Sequence, residues 1–322
     1  MSFWKTLPTP ILALAPMADV TDPALRRLVS EIAAPDVFWT EFVSADGLYA
    51  TREKVGLPDH ENPLMRDIQY SRGERPIVAQ FFGSRPETIA YAAKLAAECG
   101  FDGVDINMGC PDKAIEKQGA GAAMMKTPEK VGEIVAAARE GGLPVSVKTR
   151  IGFNHDEIDT WIPAILKENP DALIVHLRTR KEMSKVPAHW EEASRIVALR
   201  DALSPDTRVL GNGDVMTVGE AREKVAETGL DGVMLGRAIF GNPWLFEKEE
   251  REISKKERLE TLLTLARYFE ELTPPKSFHI MKKHIRSFVI GWPGAAEERA
   301  VLMEAGSREE LEARIQKLGI LS

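Results

Sequence analysis

A cysteine set in a Gly-Cys-Pro turn, Cys110 of DINMGCP, is the most chemically suggestive residue of the chain. A thiol exposed there can serve as a general acid at neutral pH, because an unperturbed pKa of ~8.5 keeps it mostly protonated yet able to donate. Other polar groups interrupt runs otherwise rich in Val and Ile. Side chains alternate along a strand, so Asp105 and Asn107 share a face, as do Lys148 and Arg150, and His176 and Arg178. Charges inserted into apolar strands are costly without a partner, and several at equivalent heights point to one shared polar ligand. Two glycine turns, GNGD (211–214) and LGRAIFGNP (235–243), follow late strands, where backbone N–H groups and a helix N-terminus can hold a phosphate that Arg237 clamps. A phosphate-bearing cofactor is expected. Plainer roles exist for each: a small core hydrophobe for either cysteine, a hydrogen-bonded core residue for His176, an ion-pair layer for Lys148, and simple turns for the glycines. Their joint occurrence at strand ends favours a site.

The elements that must position these residues are legible as eight short β-rich runs: 11–17, 37–42, 77–83, 103–109, 145–150, 172–178, 208–214 and 232–238. Amphipathic spacers such as 86–99, 128–140 and 217–229 have the length of crossovers between parallel strands. Asp22-Pro23 and Thr127-Pro128 read as helix starts, an N-cap residue followed by proline. Eight strand-then-helix units specify a (β/α)8 TIM barrel, in which chemistry sits at the C-terminal strand ends. A doubly wound sheet is the runner-up, but its first turn here, APMADVTD, lacks GxGxxG. After GNPWLF the strand pattern stops, and helices are expected over 254–272, 276–290 and 296–318, the last split near Gly306. The reading is a barrel domain over 1–246 and a small all-helical domain over 247–322.

Composition narrows the classes. With 44% hydrophobic and 28% charged residues in 322, a packed protein is expected rather than a disordered one. No apolar run approaches ~20 residues, and the start MSFWKTLPTP lacks a signal-peptide core, so a cytoplasmic protein with no membrane partner is expected. Two cysteines, Cys99 and Cys110, outside any Cys/His cluster, indicate neither a disulfide framework nor a metal site. The net charge of −7 argues against a nucleic-acid binder, yet its distribution is uneven. From Glu247 onward 14 Lys/Arg balance 14 Asp/Glu, so residues 1–246 carry the whole excess. Within the tail, KSFHIMKKHIR holds Lys276, Lys282, Lys283 and Arg286 with no acid, a local basic patch whose bland reading is a solvated helix face.

Taken together, LAPMADVTD, AQFFGS, DINMGCP with KQGAGAAMM, VKTRIG, HLRTR, NGDV, GRAIFGNPW and the tail segment KKHIRSFVIGWPGA resemble the tRNA-dihydrouridine synthase family over nearly the whole chain. DINMGCP with GAGAAMM is the specific part; GNGD and GRA alone fit many FMN barrels. The resemblance implies FMN held by Pro16, Met17, Ala18, Gln80, Lys148, His176, Asn212, Gly213, Asp214, Gly236 and Arg237, with Cys110 as proton donor. It further implies that NADPH (or NADH) reduces FMN, whose N5 then gives hydride to uracil C6 while the thiol protonates C5. A lysine at the flavin N1/O2 edge suits Lys148, Met17 suits a ring face, and Asn107 and Arg178 are candidates beside the uracil carbonyls. A uridine in folded tRNA must be flipped out to reach a flavin, so RNA contacts away from the pocket are expected from Lys282, Lys283 and Arg286, aided by Lys113 and Lys117. No stable protein partner is implied. After HLRTR the chain reads KEMSKVPAHW, where family members commonly carry a glycine-containing stretch, and this loop is a candidate RNA contact. The competing readings are an rRNA substrate, a small-molecule FMN ene-reductase or dihydroorotate-type dehydrogenase, and an RNA-binding protein with a vestigial barrel.

Overall fold

All eight β-rich runs become parallel strands of one ring in the computed structural model, which describes residues 2–249 and 251–319. Strand β1 (Ile11–Leu14) pairs with β9 (Gly232–Leu235), and the order continues through β8 (Arg208–Asn212), β7 (Ala172–His176), β6 (Val145–Arg150), β5 (Gly103–Asn107) and β4 (Ile77–Phe82) to β2 (Phe38–Trp39). A bridge between Ala13 and Val37 closes the ring. The run over 37–42 is one stave in two pieces. Phe38 pairs with Ile77 and Val43 of β3 (Val43–Ser44) pairs with Phe81, so three residues, Thr40 to Phe42, stand against two of β4. That extra residue is a bulge in the barrel wall.

The interior of the ring explains the sequence pattern. Ile11, Ala13, Trp39, Val78, Ile174, Leu210 and Met234 fill it as an apolar plug. Strands β5 and β6 contribute nothing to that plug; at the matching register they carry Asp105, Asn107, Ser146 and Lys148. One side of the barrel interior is therefore polar. Outside, the crossover helices bury their apolar faces against the strands, as in α4 (Pro86–Glu98), where Ile89, Ala92, Ala93 and Ala96 are buried. Asp22 caps α1 (Pro23–Ile32) as expected, its carboxylate accepting from the Leu25 N–H at 2.9 Å. Thr127-Pro128 does not start an α-helix: the Thr127 side chain makes no cap bond, and a 3-10 turn over Pro128–Lys130 intervenes before α6 (Val131–Arg139).

Beyond the last strand come α10 (Lys255–Glu270), α11 (Met281–Phe288), α12 (Ala295–Leu302) and α13 (Arg308–Lys317), the final pair divided around Gly306. Helix α10 lies on α1, where Arg27 sits 3.7 Å above the Tyr268 ring and donates to Glu271 at 2.7 Å. Lys276 is a correction to the basic patch read from the sequence. Its side chain is 3% exposed and pairs with Glu41 at 2.9 Å and Asp67 at 3.3 Å, so it fastens the tail to the barrel instead of facing solvent. Burial raises the Glu41 carboxyl above its ordinary range; burial also works against the Lys276 charge, but Glu41 and Asp67 outweigh it and its pKa rises. Removing one member of such a pair strands the other's charge in the interior. Lys276→Met is expected to lower stability by about 3 kcal/mol, with Lys276→Met/Glu41→Gln recovering part of it, read by thermal melts of both proteins.

Candidate active site

The C-terminal strand ends surround a cavity of about 270 Å³. Of the residues singled out in the sequence, Pro16, Met17, Asn107, Cys110, Lys148, His176, Arg178, Asn212, Gly213, Asp214, Gly236 and Arg237 line it. Two do not. Ala18 is exposed outside the lining, and Gln80 is fully buried behind the wall, its amide spent on Asp105 and Asn107. Lys113 is exposed on the short helix α5 (Lys113–Glu116) that follows the cysteine turn, and Lys117 is exposed at its C-cap. On α11, Met281, His284, Ile285 and Phe288 face inward, leaving Lys283 and Arg286 exposed and Lys282 half-buried. Lys283 has Asp19 at 3.6 Å.

Cys110 is held from both sides. Its N–H and that of Gly109 donate to Asn107 Oδ1 at 2.9 and 3.1 Å, and its carbonyl accepts from Ala122 N–H at 2.9 Å. That last bond accounts for the downstream GAGAAMM: Gly121 has φ +60, and a side chain there would meet the Cys110 carbonyl. A Cβ on Gly109 would press on the Thr149 backbone, so the turn lies flush against β6. Cys110, like Phe42, packs against the apolar cluster of Phe82, Ile115 and Ala120. This apolar setting pushes the thiol pKa up, keeping it protonated and inert as a thiolate.

Opposite charges are scarce around the remaining polar groups, and burial decides their state. Lys148 donates to Asn212 Oδ1 at 3.2 Å and is depressed to about 8 by burial and by Arg150. His176 is held well below its ordinary value by burial, with Arg150, Lys148, Arg178 and Arg237 adding to the effect. It is neutral at pH 7. Arg178 Nη1 lies 3.0 Å from His176 Nε2, and since a guanidinium can only donate, Nε2 accepts and the proton resides on Nδ1.

Arg178 corrects one expectation. Rather than a free donor for a substrate carbonyl, it is 2% exposed with every nitrogen engaged: Nε on Val186 O at 2.6 Å, one terminal nitrogen on His176, the other on Asp214. Asp214, in turn, pairs with Arg237 at 2.5 Å and accepts from Ala188 N–H at 2.8 Å, so it organises two arginines and the loop 181–190. Its carboxyl is lowered, chiefly by the Arg178 hydrogen bond.

Around this pair, the N–H groups of Gly213, Asp214 and Gly236 have no hydrogen-bond partner among the described residues. The expected helix N-terminus after β9 is only a three-residue 3-10 turn, Arg237–Ile239, so donors and Arg237 rather than a long helix make this end receptive to an anion. Sequence reasoning placed Arg150 on the face of Lys148 without giving it a role, and it missed Ser184. Arg150 donates to Gly109 O at 2.8 Å and Met183 O at 3.0 Å, tying the cysteine turn to loop 181–190, on which Ser184 lines the cavity. A guanidinium at a strand end beside the cysteine turn was the available signal. Among the described residues no cluster of metal-ligating side chains occurs, and no helix is long and apolar enough to cross a membrane.

Known proteins with this architecture point the same way. The sequence model of the family described as Dihydrouridine synthase (Dus) matches residues 13–318. A relative from Staphylococcus epidermidis, named probable tRNA-dihydrouridine synthase, is 41% identical over 312 residues, covering 96% of this chain and 94% of its own. One from Bacillus subtilis, named probable tRNA-dihydrouridine synthase 2, is 40% identical, covering 97% and 95%. Among solved structures, a morphinone reductase variant in complex with tetrahydroNAD aligns with a TM-score of 0.51 at 12% identity, over 74% of this chain and 85% of its own. A 2-naphthoyl-CoA reductase complex aligns at 0.56 and 10%, over 74% and 49%; at such identities the likeness is one of fold. With a family model spanning barrel and tail together, the chain belongs to the dihydrouridine synthase family.

Proposed function

We propose that the chain is a flavin-dependent tRNA-dihydrouridine synthase, reducing the C5–C6 double bond of a uridine with FMN and a nicotinamide donor, NADPH or NADH. The observation that carries this reading is the composition of one cavity: a protonated thiol, a buried lysine, a neutral histidine and unpaired backbone donors beside an arginine all open onto it. These residues suit a flavin mononucleotide. Gly213, Asp214 and Gly236 N–H groups with Arg237 suit its phosphate, Pro16, Met17 and Met234 offer apolar surface to its ring, and Lys148, His176 and Asn212 offer donors to its polar edge.

When bound, the flavin supplies the two electrons that reach uracil C6. The remaining work belongs to the chain. Cys110 gives its thiol proton to C5, completing addition of one hydride and one proton across the double bond. Lys148 keeps positive charge beside the ring and the accepting pyrimidine, and Asn107 retains an amide hydrogen for a carbonyl. Apolar Phe42 and Phe82 keep water from the thiol. Gln80 and Arg178 act at one remove, through Asn107 and His176. The barrel over 1–246 carries the chemistry and the helices over 247–322 the RNA grip, through Lys282, Lys283 and Arg286 with Lys113 and Lys117 beside the cysteine turn; a soluble cytoplasmic enzyme fits this role.

Dihydrouridine mapped by mass spectrometry in RNA from cells with and without the protein tests the proposal. Loss of one tRNA position on deletion is expected; loss only in rRNA, or in no RNA, overturns it. Reversing Lys282 and Lys283 to glutamate is expected to weaken tRNA binding and flatten its dependence on log salt by roughly one to two units, with flavin content unchanged, as measured in binding titrations across salt.

A further inference from the structure

Among the described residues Asp105 is the one carboxylate on the inward faces of β4 to β6, and the proposed reaction gives it no task. It is fully buried and hydrogen-bonded to no cation among the described residues. Register places it between Gln80 of β4 and Ser146 of β6, and its hydrogen bonds come from neutral groups, Gln80 Nε2 donating at 2.6 Å and Ser146 Oγ at 2.6 Å, with the Lys148 charge attracting it from the same face of β6. A carboxylate in that setting is expensive as mere filling, and burial pushes it up to about 6. What it has that an apolar side chain lacks is direction.

An ionised carboxylate only accepts, so it fixes which end of the Gln80 amide faces it. The nitrogen turns toward Asp105, and the oxygen therefore turns toward Asn107, accepting from its Nδ2 at 3.1 Å. Asn107, committed as a donor on that side, presents its oxygen to the N–H groups of Gly109 and Cys110. Each link dictates the next. Without the carboxylate, both amides are free to rotate by half a turn, and a reversed Asn107 would oppose the two turn N–H groups with its own.

Building on the reading of Cys110 as proton donor, we propose that Asp105 is a positioning residue for Cys110, setting through Gln80 and Asn107 the orientation of the turn that carries the thiol. The sense of the chain, not the charge itself, is the requirement. An asparagine at 105 can keep it, its oxygen accepting from Gln80 while its amide donates to Ser146 Oγ.

The test uses the flavin-loaded protein in a Cys99→Ser background, where Cys110 is the remaining thiol. Asp105→Leu removes the acceptor, Gln80→Met cuts the next link while leaving the carboxylate, and Asp105→Asn is the rescue. The expected result is that Asp105→Leu and Gln80→Met each change the iodoacetamide alkylation rate of Cys110 by about fivefold and speed amide hydrogen exchange at Gly109 and Cys110 to match. Both should slow single-turnover reduction of tRNA roughly tenfold or more while NADPH reduction of the flavin stays near wild type. Asp105→Asn should restore all of these, and in a Cys110→Ala background Asp105→Leu should add no further loss. Wild-type alkylation and exchange in Gln80→Met overturn the proposal, as does a loss in Asp105→Leu that adds in full to that of Cys110→Ala. Should Asp105→Leu not fold, Gln80→Met decides alone. Alkylation and exchange read the turn itself, so they stand or fall independently of which substrate the enzyme reduces.

Discussion

Cys110→Ala is expected to keep bound flavin and NADPH oxidation while cutting dihydrouridine formation by roughly 10²–10⁴, the usual contribution of a positioned general acid. The substitution leaves the cationic end of the cavity untouched, since Arg237 and the unpaired donors lie on the strand ends of β8 and β9 and the thiol on that of β5. Only the proton destined for C5 is lost. Rapid-mixing kinetics of the two half-reactions, together with product counted by mass spectrometry, separate them; normal product yield would refute the role. The pH dependence has a defined sign. A donor works while protonated, and burial raises the thiol pKa, so loss of the donor's proton should give the RNA half-reaction an alkaline limb above that of a free thiol at ~8.5, preceded by a decline near 8 as Lys148 loses its charge, and the Lys148 limb should persist in Cys110→Ala.

Lys148→Met should pull stability and ligand retention in opposite directions. The folded protein depresses this lysine from 10.5 to about 8, mainly by burial, which costs the folded state on the order of 3 kcal/mol at neutral pH. The penalty is full below about 8, shrinks as pH rises toward the unfolded value of 10.5, and is absent above it. Methionine removes it, at the expense of one hydrogen bond to Asn212 and of attraction to Asp105. The flavin-free variant should therefore be more stable by about 1–2 kcal/mol, yet bind FMN at least roughly tenfold more weakly. Thermal melts with and without added FMN check both halves, and a variant that melts no higher than wild type while keeping its flavin would contradict the argument.

Much of this was readable from the chain because barrel strands announce themselves. Alternation put Asp105 with Asn107 and Lys148 with Arg150 before any coordinates, and the glycine turns after 211 and 235 marked the receptive end of the cavity. What escaped was partnership. Arg178 and Arg237 look alike in sequence, yet one is locked against His176 and Asp214 while the other is more than half exposed. Gln80 reads as a ligand contact, but its neighbour in register is a carboxylate 25 positions on, which no local pattern shows. Lys276 sits in an acid-free stretch, and its acids, Glu41 and Asp67, come from the other end of the chain. Periodicity reports which way a side chain points; only the closed ring reports what it meets.

The bulge at Thr40 to Phe42 places two adjacent residues on different errands: Glu41 grips Lys276 of the tail, and Phe42 borders the thiol. Tail and reaction chamber thus meet at one peptide unit of the wall, beside the separate contact of α10 on α1. Under the proposed function, a polynucleotide held by the far helices would meet the chamber at a reach set by that shared unit, as along the jaws of a calliper.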